Sequence, residues 1–309
     1  MPDRSMSVRV FLDGRVCLPE QARVSVFDRG FLYGDSVYET IGTVAGRLFA
    51  LDEHLDRLER SAQRIGLRVP PRAEIERAIL TTLEAAANAE SRVRVMVTRG
   101  SGQLGRPDLD PAAADQPRLV VIVSPLGAPT PEMLAEGVSV AVVSVQRNNP
   151  RAMDPAVKSG NYLNNVLALG EARRAGAYEA ILCADDGSVA EGASSNVFVV
   201  RAGAVRTPAL EVGILDGITR SKVIALCGAH GIPVEQGRVT PAELRAADEA
   251  FITSATRGVL PVTRVDGRAV ADGAPGPVTR RLIRLYDALT RADADAAARG
   301  GGTAERTAT

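Results

Sequence analysis

The sequence predicts an α/β protein built as two domains, and three observations carry that expectation. Hairpin-like apolar runs alternate with amphipathic helical stretches along the chain. Its 309 residues suffice for two ordinary domains, each with a buried core. The stretch PLGAPTP at 125–131 is Pro-rich, has little to bury and suits a connector. The expected division is a small domain over 1–124, a linker over 125–134, a large domain over 135–290 and a disordered Ala/Gly-rich tail over 291–309.

The elements follow in order. Residues 8–12 and 15–18 read as a hairpin about the turn Asp13-Gly14. Residues 24–28 lead into a glycine-punctuated loop over 29–35, and 37–44 pairs with 47–50. A helix starts near Asp52 as N-cap, with Leu51, Leu55, Leu58, Ala62 and Ile65 on one face, and Pro70-Pro71 ends it. A second helix covers 72–89 and buries Ile75, Ile79 and Leu83. Strands at 93–98 and 119–124 flank a long Gly/Pro/Asp loop, a length that marks a functional segment. Beyond the connector come a strand at 138–145 and a helix at 160–175 with Leu163, Val166, Leu167 and Gly170 inward. Strands at 179–184 and 196–201 follow, then a helix opened by Gly217-Ile218-Thr219 and reaching His230. A short helix begins at Pro241, a strand covers 250–254, and a last helix covers 276–290.

Composition excludes several classes of function. A hydrophobic share of 45% and a charged share of 24% belong to a globular protein, not to a disordered, collagenous or coiled-coil one. Lys plus Arg equals Asp plus Glu at 37 each, so no basic excess invites nucleic acid or an anionic membrane. No apolar run reaches bilayer length and the N-terminus lacks a signal-peptide core, so a cytoplasmic protein is expected. Two histidines far apart and three cysteines without CxxC spacing argue against a metal site, a disulfide framework and a histidine-based hydrolase. His54 sits in a charged helical stretch and is expected to face solvent.

The basic residues are lopsided. Lys158 and Lys222 are the only lysines, and every other basic residue among the 37 is arginine. Arginine keeps its proton and forms no Schiff base, whereas lysine does both kinds of chemistry, so amine catalysis has two candidates. Lys222 lies one turn into a helix and reads as a solvent-facing residue.

The segment Glu191-Gly192-Ala193-Ser194-Ser195-Asn196 is followed by Val205-Arg206-Thr207 and Leu215-Asp216-Gly217-Ile218-Thr219-Arg220. With Lys158 in AVKSGNYLNN, these blocks resemble the class IV pyridoxal-phosphate aminotransferases. That family includes branched-chain and D-amino-acid aminotransferases and aminodeoxychorismate lyases. The resemblance spans nearly the whole chain and implies a fold-type IV enzyme with the cofactor in the interdomain cleft. It implies Lys158 as Schiff base and proton shuttle, and Glu191 as the carboxylate at the ring nitrogen of pyridoxal 5′-phosphate. Arg57 and the helix start at Ile218 and Thr219 would bind the phosphate, as a helix N-terminus suits an anion. Tyr162 matches the tyrosine bonded to the ring oxygen. Tyr33, Tyr38, Thr40, Arg94 and Arg106 fall on the substrate side. Ala255 stands where the family has a phosphate-contacting Thr and is counted on the substrate side, with Thr256 next to it as the cofactor-binding hydroxyl.

The implied reaction is ping-pong exchange of the amino group between a branched-chain or related L-amino acid and 2-oxoglutarate, in a homodimer or larger assembly. Departures from the family patterns keep alternatives open. Branched-chain enzymes typically show Phe-Glu-Gly, but here Tyr38-Glu39-Thr40 stands, closer to lyase-like members that release pyruvate. The Arg-x-His trap of D-amino-acid enzymes has no histidine counterpart at 101–106, which lowers a D-amino-acid or (R)-amine specificity without removing it.

Overall fold

The computed structural model describes residues 7–102, 109–114, 116–127 and 129–300, with 297–300 described by backbone alone. By their contacts they form two compact units. The first holds the chain up to Gly127, the short segment Val157–Asn161 and the chain from Thr290. The second holds Ala128–Ala156 and Tyr162–Leu289.

In the first unit, β1 (Arg9–Leu12) and β2 (Arg15–Cys17) form the expected hairpin, followed by a short helix α1 (Arg29–Tyr33). Then come β3 (Ser36–Val44), β4 (Arg47–Leu48), α2 (Leu51–Arg64), α3 (Arg72–Ala86), β5 (Ser91–Thr98) and β6 (Arg118–Pro125). The strands make one antiparallel sheet in the order β2-β1-β6-β5-β3-β4. Strand alternation sends Val37, Glu39 and Ile41 toward α2 and Tyr38 and Thr40 to the opposite face. Ile41, Leu55, Leu58, Ile75, Ile79 and Val95 are fully buried between sheet and helices.

The second unit begins with α4 (Pro131–Glu136), β7 (Val138–Val142), α5 (Leu163–Arg174), β8 (Glu179–Cys183) and β9 (Val189–Gly192). It continues with β10 (Asn196–Arg201), β11 (Ala204–Pro208), α6 (Ile218–Ala229), β12 (Val234–Gly237) and α7 (Pro241–Arg245). Last come β13 (Glu249–Ser254), β14 (Gly258–Val265), β15 (Arg268–Ala269) and α8 (Pro277–Gly300). The sheet is mixed, ordered β12-β11-β10-β13-β14-β7-β8-β9 with β15 on β14.

Several sequence expectations are corrected. The domain boundary is not crossed once: residues 157–161, expected within the large domain, join the first unit. Val157 packs in its core, Ser159 bridges to Val37, and Lys158 O accepts from Tyr38 N–H. Helix α5 turns the other way. Leu163, Val166 and Leu167 are 69, 59 and 55% exposed, while Ala168 and Ala172 pack beside Ala180, Leu182 and Ala193. Small alanines let the helix lie close to the sheet, and Asn165 Nδ2 donates to Ala193 O from the same face. The N-cap of α2 is Ala50 in the left-handed region at φ 55°, which places Asp52 in the first turn. Helix α8 runs past Thr290 to Gly300, since the Ala-rich sequence ADADAAAR carries high helix propensity. The remainder of the expected tail, 301–309, lies outside the described residues.

Candidate active site

In the first unit, two elements position Lys158. Its backbone N–H donates to Ser61 Oγ on α2 at 3.2 Å, and its carbonyl accepts from Tyr38 N–H of β3 at 2.9 Å. The half-buried side chain carries Nζ to 4.5 Å from the centre of the Tyr38 ring. Arg94 of β5 lies over the same ring at 3.9 Å, opposite Thr40 in the sheet register. A ring whose face attracts two cations is thus the shared platform of lysine and arginine. Tyr33 is half-buried under the Arg29 guanidinium at 5.2 Å. Arg106 falls at 103–108, outside the described residues.

Arg57 is buried on α2 and forked onto Glu39, Nε donating to Oε1 at 2.7 Å and Nη2 to Oε2 at 2.8 Å. His54 Nδ1 lies 2.7 Å from the same Oε2. His54, expected at the surface, is 1% exposed, because the strand carboxylate gives the imidazole a partner inside. Burial raises the Glu39 pKa, but the charge and hydrogen bonds of Arg57, with the His54 hydrogen bond, outweigh it and hold the carboxyl far below its usual range. Burial depresses the His54 pKa, assisted by Arg57 and Lys158 and opposed by Glu39, so the ring is neutral near pH 7. Sequence reasoning overlooked this pair. The available signal was the spacing of His54, Arg57 and Ser61 at i, i+3 and i+7, a polar stripe along the apolar face of α2.

The second unit carries Glu191 at the end of β9, 5% exposed. Oε2 accepts from Leu215 N–H at 3.0 Å and Asn196 Nδ2 at 3.3 Å. Arg147 Nε lies 2.8 Å from Oε1 as an ion pair, without the alignment of a hydrogen bond. Arg147 was also overlooked, because the irregular segment after β7 has no periodicity to place it. The start of α6 is built around Gly217, where a Cβ would collide with Asn196 Oδ1. As N-cap, Gly217 offers no side chain, so the first N–H groups of the helix, those of Ile218 and Thr219, have no side-chain cap. Thr219 Oγ1 lies 3.3 Å from Tyr286 OH, whose pKa burial pushes up to about 12. Tyr162 is the half-buried N-cap of α5, and Ala255 and Thr256 form the turn between β13 and β14. Lys222, expected to face solvent, is half-buried on α6.

Each unit carries groups of the kind pyridoxal phosphate needs: the first an amine beside an aromatic ring, the second a carboxylate held by a cation and two N–H donors, and a helix start whose N–H groups lack a side-chain cap. Among the described residues, no group of three His, Cys, Asp or Glu is placed to hold a metal ion, and no helix is long and apolar enough to cross a membrane.

The family model for amino-transferase class IV matches residues 36–265. A putative branched-chain-amino-acid aminotransferase of Methanocaldococcus jannaschii is 40% identical over 281 residues, 90% of this chain and 95% of that protein. A D-alanine aminotransferase of Bacillus licheniformis is 37% identical over 280 residues, 89% and 94% of the two chains. The branched-chain aminotransferase of the thermophilic archaeon Thermoproteus uzoniensis, solved with norvaline, superposes with a TM-score of 0.83 at 35% identity, covering 91% of this chain and 94% of that one. The chain is a fold-type IV enzyme and belongs to the class IV aminotransferases, which use pyridoxal phosphate to move amino groups between amino and 2-oxo acids.

Proposed function

We propose that this aminotransferase exchanges the amino group between a branched-chain or related L-amino acid and 2-oxoglutarate, in two half-reactions through one site, on pyridoxal 5′-phosphate. The observation that carries the reading is the placement of Lys158, backbone-bonded to both α2 and β3 and set over Tyr38 beside Arg94. The cofactor supplies an aldehyde that carries the amine and a ring that accepts electrons from Cα.

The chain's own residues do the rest. Lys158 Nζ would hold the cofactor and, once the substrate amine displaces it, would be free to carry the proton leaving substrate Cα. Glu191, kept in place by Arg147, Asn196 and Leu215 N–H, holds the proton on the ring nitrogen. Arg57 and the N–H groups of Ile218 and Thr219 bind the phosphate, with Thr256 contributing in place of the hydroxyl missing at Ala255. Tyr162 bonds the ring oxygen, while Tyr33, Tyr38, Thr40, Arg94 and Arg106 line the substrate side. We assign the chain to a homodimer, which the exposed Leu163, Val166 and Leu167 of α5 support, and to the cytoplasm.

The lyase alternative rests on a narrower feature than a dipeptide. Glu39 bonds Arg57 and His54, so of the Glu39-Thr40 pair it is Thr40, on the opposite face of the strand, that bears on the lyase reading. The relationship to D-alanine aminotransferases keeps D-amino acids as the second reading. Holoenzyme is mixed with L-leucine, D-alanine, (R)-phenylethylamine or aminodeoxychorismate and its visible absorbance followed. L-Leucine is expected to discharge it, and Lys158→Ala to abolish the response. Discharge by D-alanine alone reverses the assigned chirality, and pyruvate from aminodeoxychorismate without a leucine response makes the enzyme a lyase.

A further inference from the structure

Outside the groups named so far, the second unit contains a buried ionic brace centred on Glu179. This carboxylate opens β8 and is 1% exposed. Its Oε2 accepts from Ser194 Oγ at 2.7 Å, Ser195 Oγ at 3.3 Å and Arg257 Nη1 at 3.1 Å, while Oε1 accepts from Ala180 N–H at 3.1 Å. Arg257, whose side chain is 14% exposed, spreads its fork over three partners at once. Besides Glu179, its Nε donates to Ser254 Oγ at 2.9 Å, and its Nη2 donates to Ser194 O at 2.7 Å and Ser194 Oγ at 2.9 Å.

The brace therefore ties together two turns distant in sequence. One is Ala193-Ser194-Ser195, which directly follows Glu191 and Gly192. The other is Ser254-Ala255-Thr256-Arg257, the link between β13 and β14. The carboxylate itself is buried while Ser194 and part of Arg257 meet solvent, and moving either turn would strip charge-assisted bonds from that buried carboxylate.

We propose that Glu179 and Arg257 are positioning residues that fix the 254–257 turn as a phosphate-binding element relative to Glu191. This rests on the reading of the protein as a pyridoxal-phosphate enzyme. Their role is to act through the turn, not as ligands. They act by holding Thr256 and the turn's backbone at a set distance from the carboxylate that receives the ring.

Arg257→Lys is the decisive variant. It keeps Glu179 neutralised but replaces the planar fork with a point charge that cannot reach Ser254, Glu179 and Ser194 together. Dissociation constants are measured by fluorescence for pyridoxal phosphate and for pyridoxal, which lacks the phosphate. Ser194→Ala, which loses only hydroxyl contacts, is run beside it in case the first variant folds poorly. Arg257→Lys is expected to weaken pyridoxal phosphate about tenfold, and Ser194→Ala severalfold, with pyridoxal within about twofold of wild type in both. Equal weakening of both ligands, or no weakening of either, overturns the positioning role. Wild-type protein that takes up neither ligand overturns the pyridoxal-phosphate reading itself, a different result from either of those.

Discussion

Glu39 shows how one strand residue sets the electrostatics of a helix. It forks with Arg57 and holds His54, with all three side chains buried. Glu39→Gln leaves a buried guanidinium without its counter-charge, a loss of about 3–5 kcal/mol. Urea denaturation of the two proteins measures it, and an unchanged midpoint would show that Arg57 finds another anion. His54 gives a second signature at higher pH than any carboxylate. The folded chain keeps the ring neutral below its ordinary value of 6.5, where the unfolded chain already binds a proton. Stability is therefore full above about pH 6.5 and falls as the pH drops below it, and Glu39 adds its own loss below its ordinary 4.5. Melting temperatures from about pH 7 to about pH 5 should decline in wild type and stay flatter in His54→Asn. Parallel curves would contradict the assignment. Lys158 stands out in sequence as a candidate because lysine is scarce and the surrounding motif is long. His54 does not, because a helical histidine among charged residues looks solvated until the strand that neutralises it is known.

At the scale of elements, two helices make opposite points. The α6 start was readable from Gly217-Ile218-Thr219, and the structure adds why glycine is required: a Cβ would meet Asn196 Oδ1, the same side chain whose Nδ2 bonds Glu191 and Leu215 O. Gly217→Ala is expected to cost cofactor retention more than thermal stability, read by dialysis of the holoenzyme and by its melting curve. Full retention after dialysis would count against a phosphate site there. Helix α5 was misread because its apolar residues are large on the outside and small on the inside, so volume, not hydropathy, decided the buried face. Leu163, Val166 and Leu167 form a contiguous exposed apolar ridge of the kind that marks an interaction surface. Leu163→Glu combined with Val166→Glu should convert the proposed dimer to monomer in sedimentation velocity. A monomeric wild type at micromolar concentration would refute the assembly.

At the scale of the whole molecule, the alternation of strands and helices was enough to anticipate two α/β units, whereas their composition was not. Residues 157–161 are polar and short, and nothing local reveals that they are bonded to β3 and α2 of the unit that precedes them by many residues. A fragment ending at Gly127 lacks Val157 from its core and the Lys158 carbonyl from its strand edge. It is expected to show no cooperative melt by circular dichroism, and a sharp transition at the full-length temperature would contradict this. That interleaving also bears on recombination. A chimera that exchanges the N-terminal third of this protein for that of a relative would pair a foreign β3 and α2 with the resident lysine, so the graft has to carry 157–161 as well. Splicing rules drawn along the sequence would separate the amine from the two elements that aim it.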